Sequence, residues 1–283
     1  KSLGKCGESC TTNSACFSFN FELGSKQKMS LCELLYCSLD VNNSALVPNT
    51  GPFDFTCQCV QSFSGAMCEQ RDFEDCGGDP TYIGVGRIQT EEGRIFDAYC
   101  DQGWTYVFNR FDGSIDFYRN WVEYQQGFGN VSLEHFIGLD NLASILKQRS
   151  YKVRFDLTPW PSSNLNPAAG FAEYSTFNMA DESDKYRIAI SGYSGTASDA
   201  MAFQNGQRFT TYDQDNDVKY DGNCAVQYKG AWWYAACHEA NLFGIYAQGP
   251  ACTGFAQCVC WQYYPGTGLW YSFKEAVMKL HRV

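Results

Sequence analysis

The sequence has no run of about 18 apolar residues, so it holds no segment able to cross a membrane as a helix, and membrane insertion is not expected. It is short of positive charge: 21 Lys and Arg face 31 Asp and Glu, a formal net charge of −10. That balance lacks the basic patch that phosphate contacts require, which excludes a nucleic-acid partner. Histidine is scarce, with only His135, His238 and His281. No G-x-S-x-G elbow and no H-E-x-x-H occurs, so no catalytic constellation is expected and the chain is read as a non-enzyme. Cys258-Val259-Cys260 is too tight for a lone structural zinc site and has no matching Cys/His pair nearby. The chain opens on Lys1 with no Met and no apolar leader core, which suggests a processed or truncated start.

Cysteine and aromatic residues are abundant instead. Aromatics make up 16% of the 283 residues, against disorder, and 45% are hydrophobic, enough for a sizeable core. Fifteen cysteines point to an oxidising, extracellular setting. Sequons at Asn42 and Asn130 fit a secreted protein. The cysteine count is odd, so at least one lies outside any intrachain pairing.

Nine cysteines fall in residues 1–76, while all seven Trp lie between Trp104 and Trp270. The first part reads as a small module stapled by disulfides, because so short a segment has little core. The rest reads as one large mixed α and β domain. Ile95 to Cys100, Trp104 to Phe111, Tyr151 to Leu157 and Lys185 to Ser191 predict strands. Leu139, Leu142, Ile145 and Leu146 recur at helical spacing and predict a short helix. Residues near 158–170 and 192–224 are rich in Gly, Pro, Ser, Asn and Asp and predict long loops, which a disulfide or a metal would clamp.

Within the second loop, Asp213, Asp215, Asp217 and Asp221 fall in nine residues. Four carboxylates so close repel one another unless a cation neutralises them. A solvated acidic loop is the competing reading. An EF-hand is excluded, because the sixth position from Asp213 is Val218 and the twelfth is Cys224.

A family resemblance runs in order along the large domain. Its carriers are Cys76-Gly77-Gly78, then Phe96-Asp97-Ala98-Tyr99-Cys100-Asp101 and Gly103-Trp104-Thr105, then Arg110 through Trp121. It continues with Tyr124-Gln125-Gln126-Gly127-Phe128-Gly129, Gly138-Leu139-Asp140-Asn141, Asp213 through Asp217, Gly230-Ala231-Trp232-Trp233-Tyr234, Cys237-His238 and Asn241-Leu242. The chain thus resembles a fibrinogen C-terminal-like domain of the ficolin and tachylectin kind over residues 74–283. The resemblance implies an α+β fold, with a central twisted antiparallel sheet and a loop-rich subdomain carrying a calcium site and a ligand pocket. It implies disulfides Cys76–Cys100 and Cys224–Cys237, each stabilising by roughly 2–4 kcal/mol.

For calcium, it implies carboxylate ligands from Asp215 and Asp217 and carbonyl ligands from Lys219 and Asp221. Six residues separate Asp217 from Cys224, where many relatives have five, which leaves Gly222 as an alternative to Asp221. For the pocket, it implies an acetyl group held by the backbone N–H groups of Cys237 and His238, after a cis Ala236–Cys237 peptide. The walls would be Tyr228, His238, Phe255 and Ala256, with Trp270 or Tyr271. Phe255 stands where acetyl-binding relatives often have Tyr. Cys252, Cys258 and Cys260 depart from the family, and a bridge from Cys252 to Cys258 or Cys260 would reshape the pocket loop.

Residues 1–56 resemble a PAN/apple-like module, through Cys6, Cys10, Cys16-Phe17-Ser18-Phe19-Asn20-Phe21 and Cys32-Glu33-Leu34. Residues 57–73 resemble an EGF-like hairpin, with Cys59 pairing Cys68. Cys6–Cys32, Cys10–Cys16 and Cys37–Cys57 complete a plausible set. The expected function is a secreted, calcium-dependent, fibrinogen-related lectin that binds acetylated glycans or acetyl groups, in innate recognition. The alternative is an extracellular assembly protein that binds other protein chains, as a homo-oligomer linked through Cys252, Cys258 or Cys260.

Overall fold

The computed structural model describes residues 44–48, 55–59, 63–64, 70–161, 168–266 and 268–283, with side chains from Asp72 onward. The residues that carry the apple-like resemblance, Asn42 and the Cys59–Cys68 pairing lie outside the described residues and side chains. Two units are separated at Asp72 and Phe73. In the first, β1 (Ser44–Pro48) pairs with β2 (Phe55–Cys59), and β3 (Phe63–Ser64) with β4 (Gln70–Phe73), both antiparallel.

The second unit is built on β5 (Ile83–Gln89), β6 (Ile95–Asp101), β7 (Trp104–Arg110), β8 (Phe128–Gly129), β9 (His135–Phe136), β10 (Tyr151–Pro159), β11 (Gly170–Met179), β12 (Ile188–Gly195), β13 (Ala240–Asn241), β14 (Cys260–Trp261) and β15 (Phe273–Arg282). Its helices are α1 (Trp121–Gln126), α2 (Leu139–Leu146) and α3 (Cys224–Tyr228). The main sheet runs β12-β11-β10-β15-β7-β6-β5, every neighbour antiparallel. This is an α+β architecture with a central antiparallel sheet, as the resemblance implies.

The sequence explains these elements locally. Along β10, Tyr151, Val153, Phe155, Leu157 and Pro159 are buried while their neighbours face outward, the two-residue period of a strand. In α2, Leu139, Leu142, Ile145 and Leu146 face inward, as their spacing predicts. A capping box starts α1: the Asn120 side chain accepts from the Glu123 N–H at 2.9 Å, and Glu123 accepts from the Asn120 N–H at 3.1 Å.

Two boundaries differ from expectation. The strand expected from Lys185 starts at Ile188, because Lys185 and Tyr186 adopt left-handed φ values of 55° and 53°. The loop expected from residue 192 begins only after Gly195, since β12 runs that far against β11. β5, β11 and β15 were not expected.

An aromatic cluster joins the sheet to the loop-rich part. Phe243 packs on Phe108 at 4.9 Å and on Trp232 at 4.8 Å between ring centroids. Trp232 and Trp233 are fully buried, so they fill the interior and do not line a pocket. Arg110 leaves the end of β7 and reaches into the loops. Its guanidinium donates to the Leu242 and Gly244 carbonyls at 2.9 and 2.6 Å and stacks on Phe117.

Candidate functional site

The loop-rich part encloses a cleft of about 460 Å³. Helix α3 brings Tyr228 to it. The segment after Trp233 brings Ala236, Cys237, His238 and Glu239, and the loop before β14 brings Phe255 and Ala256. The five pocket residues expected from sequence, Tyr228, Cys237, His238, Phe255 and Ala256, meet here. Trp270 contributes a wall, its ring 5.2 Å from that of Phe255. Tyr271 does not: it is buried, with its hydroxyl donating to the Trp160 carbonyl.

The Cys224–Cys237 disulfide fixes the floor, and the Ala236–Cys237 peptide is cis. The Cys237 carbonyl accepts from the Ala235 N–H at 2.7 Å. Among the described residues, the N–H groups of Cys237 and His238 find no acceptor. Two backbone donors without partners beside apolar walls can hold a carbonyl oxygen.

His238 is 7% exposed and stands edge-on to Tyr228, with ring centroids 4.6 Å apart. Neither ring nitrogen has a hydrogen-bond partner. Burial pushes its pKa down to about 3, against a weaker opposing pull from the Ala256 backbone. The ring is therefore a neutral wall at physiological pH. Glu239 is the one acidic side chain on the lining, its pKa raised by burial and then by the charge of Asp199.

Sequence reasoning missed the residue that ties these walls together. Asn241 is fully buried. Its amide donates to the Tyr228 carbonyl at 3.3 Å and to the Ala256 carbonyl at 3.2 Å, and it accepts from the Tyr234 hydroxyl at 2.7 Å. Phe203 and Gln262 also reach the cleft from other parts of the chain, and Glu239 and Leu269 from beside His238 and Trp270; none of the four carries a sequence signal.

The acidic loop lies against the same disulfide. Asp215 and Asp217 come together: the Asp217 N–H donates to Asp215 Oδ1 at 3.2 Å. Asp217 Oδ1 accepts from the Lys219 N–H at 2.9 Å and Oδ2 from the Cys224 N–H at 2.8 Å. Asp213 is turned away, accepting from the Trp121 N–H at 3.0 Å and the Thr211 hydroxyl at 2.7 Å. The Asp221 side chain is exposed.

Burial, with the charge of Asp215, raises the Asp217 pKa despite the two backbone donors. A pair of carboxylates in an irregular loop, completed by carbonyls, fits a hard, oxygen-seeking cation. Among the described residues, no three His, Cys, Asp or Glu side chains converge. Two carboxylates alone do not complete the oxygen shell of such a cation.

The Cys76–Cys100 bridge is present, with its Cα atoms 5.3 Å apart. Cys252 bonds Cys258, and Cys260 is free and fully buried. This corrects the expectation of an interchain bridge, because none of the three offers a surface thiol. Asn130 lies exposed in a turn, its side chain accepting from the Ser132 N–H. His135 is buried and His281 packs on Trp104, so neither joins the site.

Comparisons with known proteins bear on the family and the fold. The family model of the C-terminal globular domain of fibrinogen beta and gamma chains matches residues 71–283. Fibrinogen-like protein A of Apostichopus parvimensis is 37% identical over 215 residues, 73% of this chain and 72% of that one. Human angiopoietin-related protein 2 is 39% identical over 193 residues, 66% of this chain but only 38% of its own length. The fibrinogen-like globe domain of human ANGPTL2 superposes with a TM-score of 0.66 at 36% identity, covering 71% of this chain and 93% of that one. Lamprey fibrin D-dimer, complexed with the peptide ligand Gly-His-Arg-Pro-amide, superposes at 0.67 with 30% identity, covering 74% and 73%. Residues 71–283 therefore make this chain a member of the fibrinogen C-terminal domain family.

Proposed function

We propose that this chain is a secreted, calcium-dependent recognition protein of the fibrinogen-related lectin type, binding the acetyl groups of acetylated glycans in innate recognition. The observation that carries this reading is the pair of unpartnered N–H groups at Cys237 and His238 on an apolar cleft. An acetyl methyl would pack against Tyr228, Phe255, Ala256 and Trp270, and its carbonyl oxygen would accept from the two N–H groups. A neutral His238 leaves no charge to discriminate among neutral acetylated ligands.

Calcium would be held by the Asp215 and Asp217 carboxylates and the Lys219 and Asp221 carbonyls. Bound there, it supplies the positive charge that two adjacent carboxylates lack. Asp217 accepts from the Cys224 N–H, and Cys224 is bonded to Cys237, so order in the acidic loop passes to the pocket floor. The disulfides of the described unit support an extracellular location. The protein should bind an N-acetylated resin and elute with free acetate or N-acetylglucosamine. Retention that ignores both competitors contradicts the reading.

A second reading has one observation in its favour. Glu239 places a carboxylate on the cleft wall, which suits an amine, and the lamprey relative is complexed with a peptide. Under it the chain is an extracellular assembly protein holding another protein chain without a covalent link. Elution by an amine-terminated peptide, with acetate ineffective, would select this reading.

A further inference from the structure

Cys252, Cys258 and Cys260 pack together in a small apolar cluster with Leu269. Cys258 and Cys260 are two residues apart in the stretch that enters β14, and both are buried in this cluster. Each sulfur lies over a backbone carbonyl: Cys252 Sγ is 3.4 Å from the Leu269 oxygen, Cys258 Sγ 3.7 Å from that of Tyr271 and Cys260 Sγ 3.8 Å from that of Ala256. A disulfide sulfur has no proton to donate. Of these contacts, only that of the free Cys260 thiol is a hydrogen bond in the present pairing.

We propose that these three cysteines form an internal thiol–disulfide exchange site that shapes the cleft by switching between two bridges. In the exchange, the Cys260 thiol gives up its proton and its sulfur attacks Cys252 Sγ. The Cys252–Cys258 bond breaks, a Cys252–Cys260 bond forms, and Cys258 leaves as the thiolate and takes the proton. One disulfide and one thiol are present before and after, so no oxidant or reductant is needed. The new loop is two residues longer, a change that barely alters closure entropy. The released Cys258 thiol already has an acceptor in the Tyr271 carbonyl, as Cys260 has in that of Ala256.

The exchange acts directly on the cleft. Ala256 and Leu269 line it, and the Ala256 N–H donates to the Leu269 carbonyl at 3.2 Å. Drawing Cys260 toward Cys252 takes its thiol from the Ala256 carbonyl and moves the wall that Phe255 and Ala256 form. Burial holds Cys260 in the thiol form, which makes the step slow at neutral pH and faster as pH rises.

The coupling to binding rests on the acetyl reading of the cleft; the exchange itself does not. The test is to incubate the native protein at pH 6 and at pH 8.5, quench in acid, denature, alkylate free thiols and locate the label by fragmentation mass spectrometry. The expected label is divided between Cys260 and Cys258, reaching Cys258 at least several-fold faster at pH 8.5. Label confined to Cys260 at both pH values overturns the proposal.

Cys258→Ser should form the Cys252–Cys260 bridge, leaving neither of these two cysteines open to alkylation, and label on both Cys252 and Cys260 in that folded variant also overturns it. Acetate affinity should differ at least threefold between Cys258→Ser and Cys260→Ser, and equal affinities overturn the coupling to the cleft. If wild type binds no acetylated ligand, the acetyl reading fails, while the label position still decides the exchange.

Discussion

Between Tyr151 and Pro159 every second side chain is buried, and flanking strands β11 and β15 satisfy the backbone on both sides. Between Cys224 and Trp270, among the described residues, the regular elements are a five-residue helix, a three-residue 3-10 turn and two-residue strands. The first region is held by a repeating pattern, so no single residue in it is indispensable to its shape. The second is held by individual devices: two disulfides, the buried amide of Asn241, and the Arg110 guanidinium reaching in from β7. Irregular backbone leaves N–H groups pointing where a ladder would have used them. The candidate site is accordingly in the region without a ladder.

The largest expected effect tests whether the loop region hangs on such devices. Arg110→Ala removes two hydrogen bonds to buried carbonyls and the packing against Phe117, and should cost about 3–5 kcal/mol in urea unfolding. A loss below about 1 kcal/mol would break the comparison.

Next, Asn241→Leu should cost about 2–3 kcal/mol by stranding the Tyr228 and Ala256 carbonyls and the Tyr234 hydroxyl, and should weaken acetyl-ligand binding more than tenfold. Leu157→Ala in β10 should cost a similar 2–5 kcal/mol and leave calorimetric ligand affinity unchanged. Equal losses of binding in both variants would erase the distinction between the regions.

A smaller effect concerns the acidic loop. Calcium at tenfold excess over its Kd should add about 1.4 kcal/mol of stability, read as a melting shift against chelator. Asp215→Asn keeps the acceptor for the Asp217 N–H but removes the like charge. It should abolish most of the calcium gain and be neutral or slightly stabilising in chelator. In chelator, the raised pKa of Asp217 means that the folded protein holds its proton longer than the unfolded chain. Stability from this group is therefore present in acid and is lost as pH rises from the ordinary carboxylate value of 3.8 through the raised one. Calcium should remove that slope.

His238 adds an effect confined to acid, with none expected at neutral pH. Its folded pKa of about 3 lies below the ordinary 6.5, so its contribution is full above pH 6.5 and is lost progressively as pH falls toward 3. His238→Phe should flatten that part of the acid-unfolding curve. Ligand affinity of the wild type should be level from pH 5 to pH 8, and a midpoint near 6 would show a charged His238.

What could be read from sequence divides along the same line. α2 and the strands at Ile95, Trp104 and Tyr151 were legible because their periods are clean. β15 was not. Its buried residues Phe273, Ala276, Met278 and Leu280 break step after Phe273, where the register with β10 shifts between Thr158 and Pro159, and Lys274, Glu275 and Lys279 make it look exposed. β11 breaks step between Tyr174 and Phe177 for a similar reason.

In the site, Tyr228, Cys237, His238, Phe255 and Ala256 came from the family motif and not from any local pattern. Asn241 stood within that motif, but its task depends on three partners distant along the chain. The odd cysteine could be counted but not placed. Choosing Cys258 over Cys260 as the partner of Cys252 required the fold.

The central claim is that the Cys237 and His238 N–H groups receive an acetyl carbonyl. The most direct measurement is a titration of the isotope-labelled protein with N-acetylglucosamine, following backbone amide resonances in calcium. The Cys237 and His238 amide protons should move downfield together, with the largest shifts in the protein, and both should stay still when glucosamine is added instead. Saturable binding of N-acetylglucosamine that leaves these two amides unmoved would contradict it.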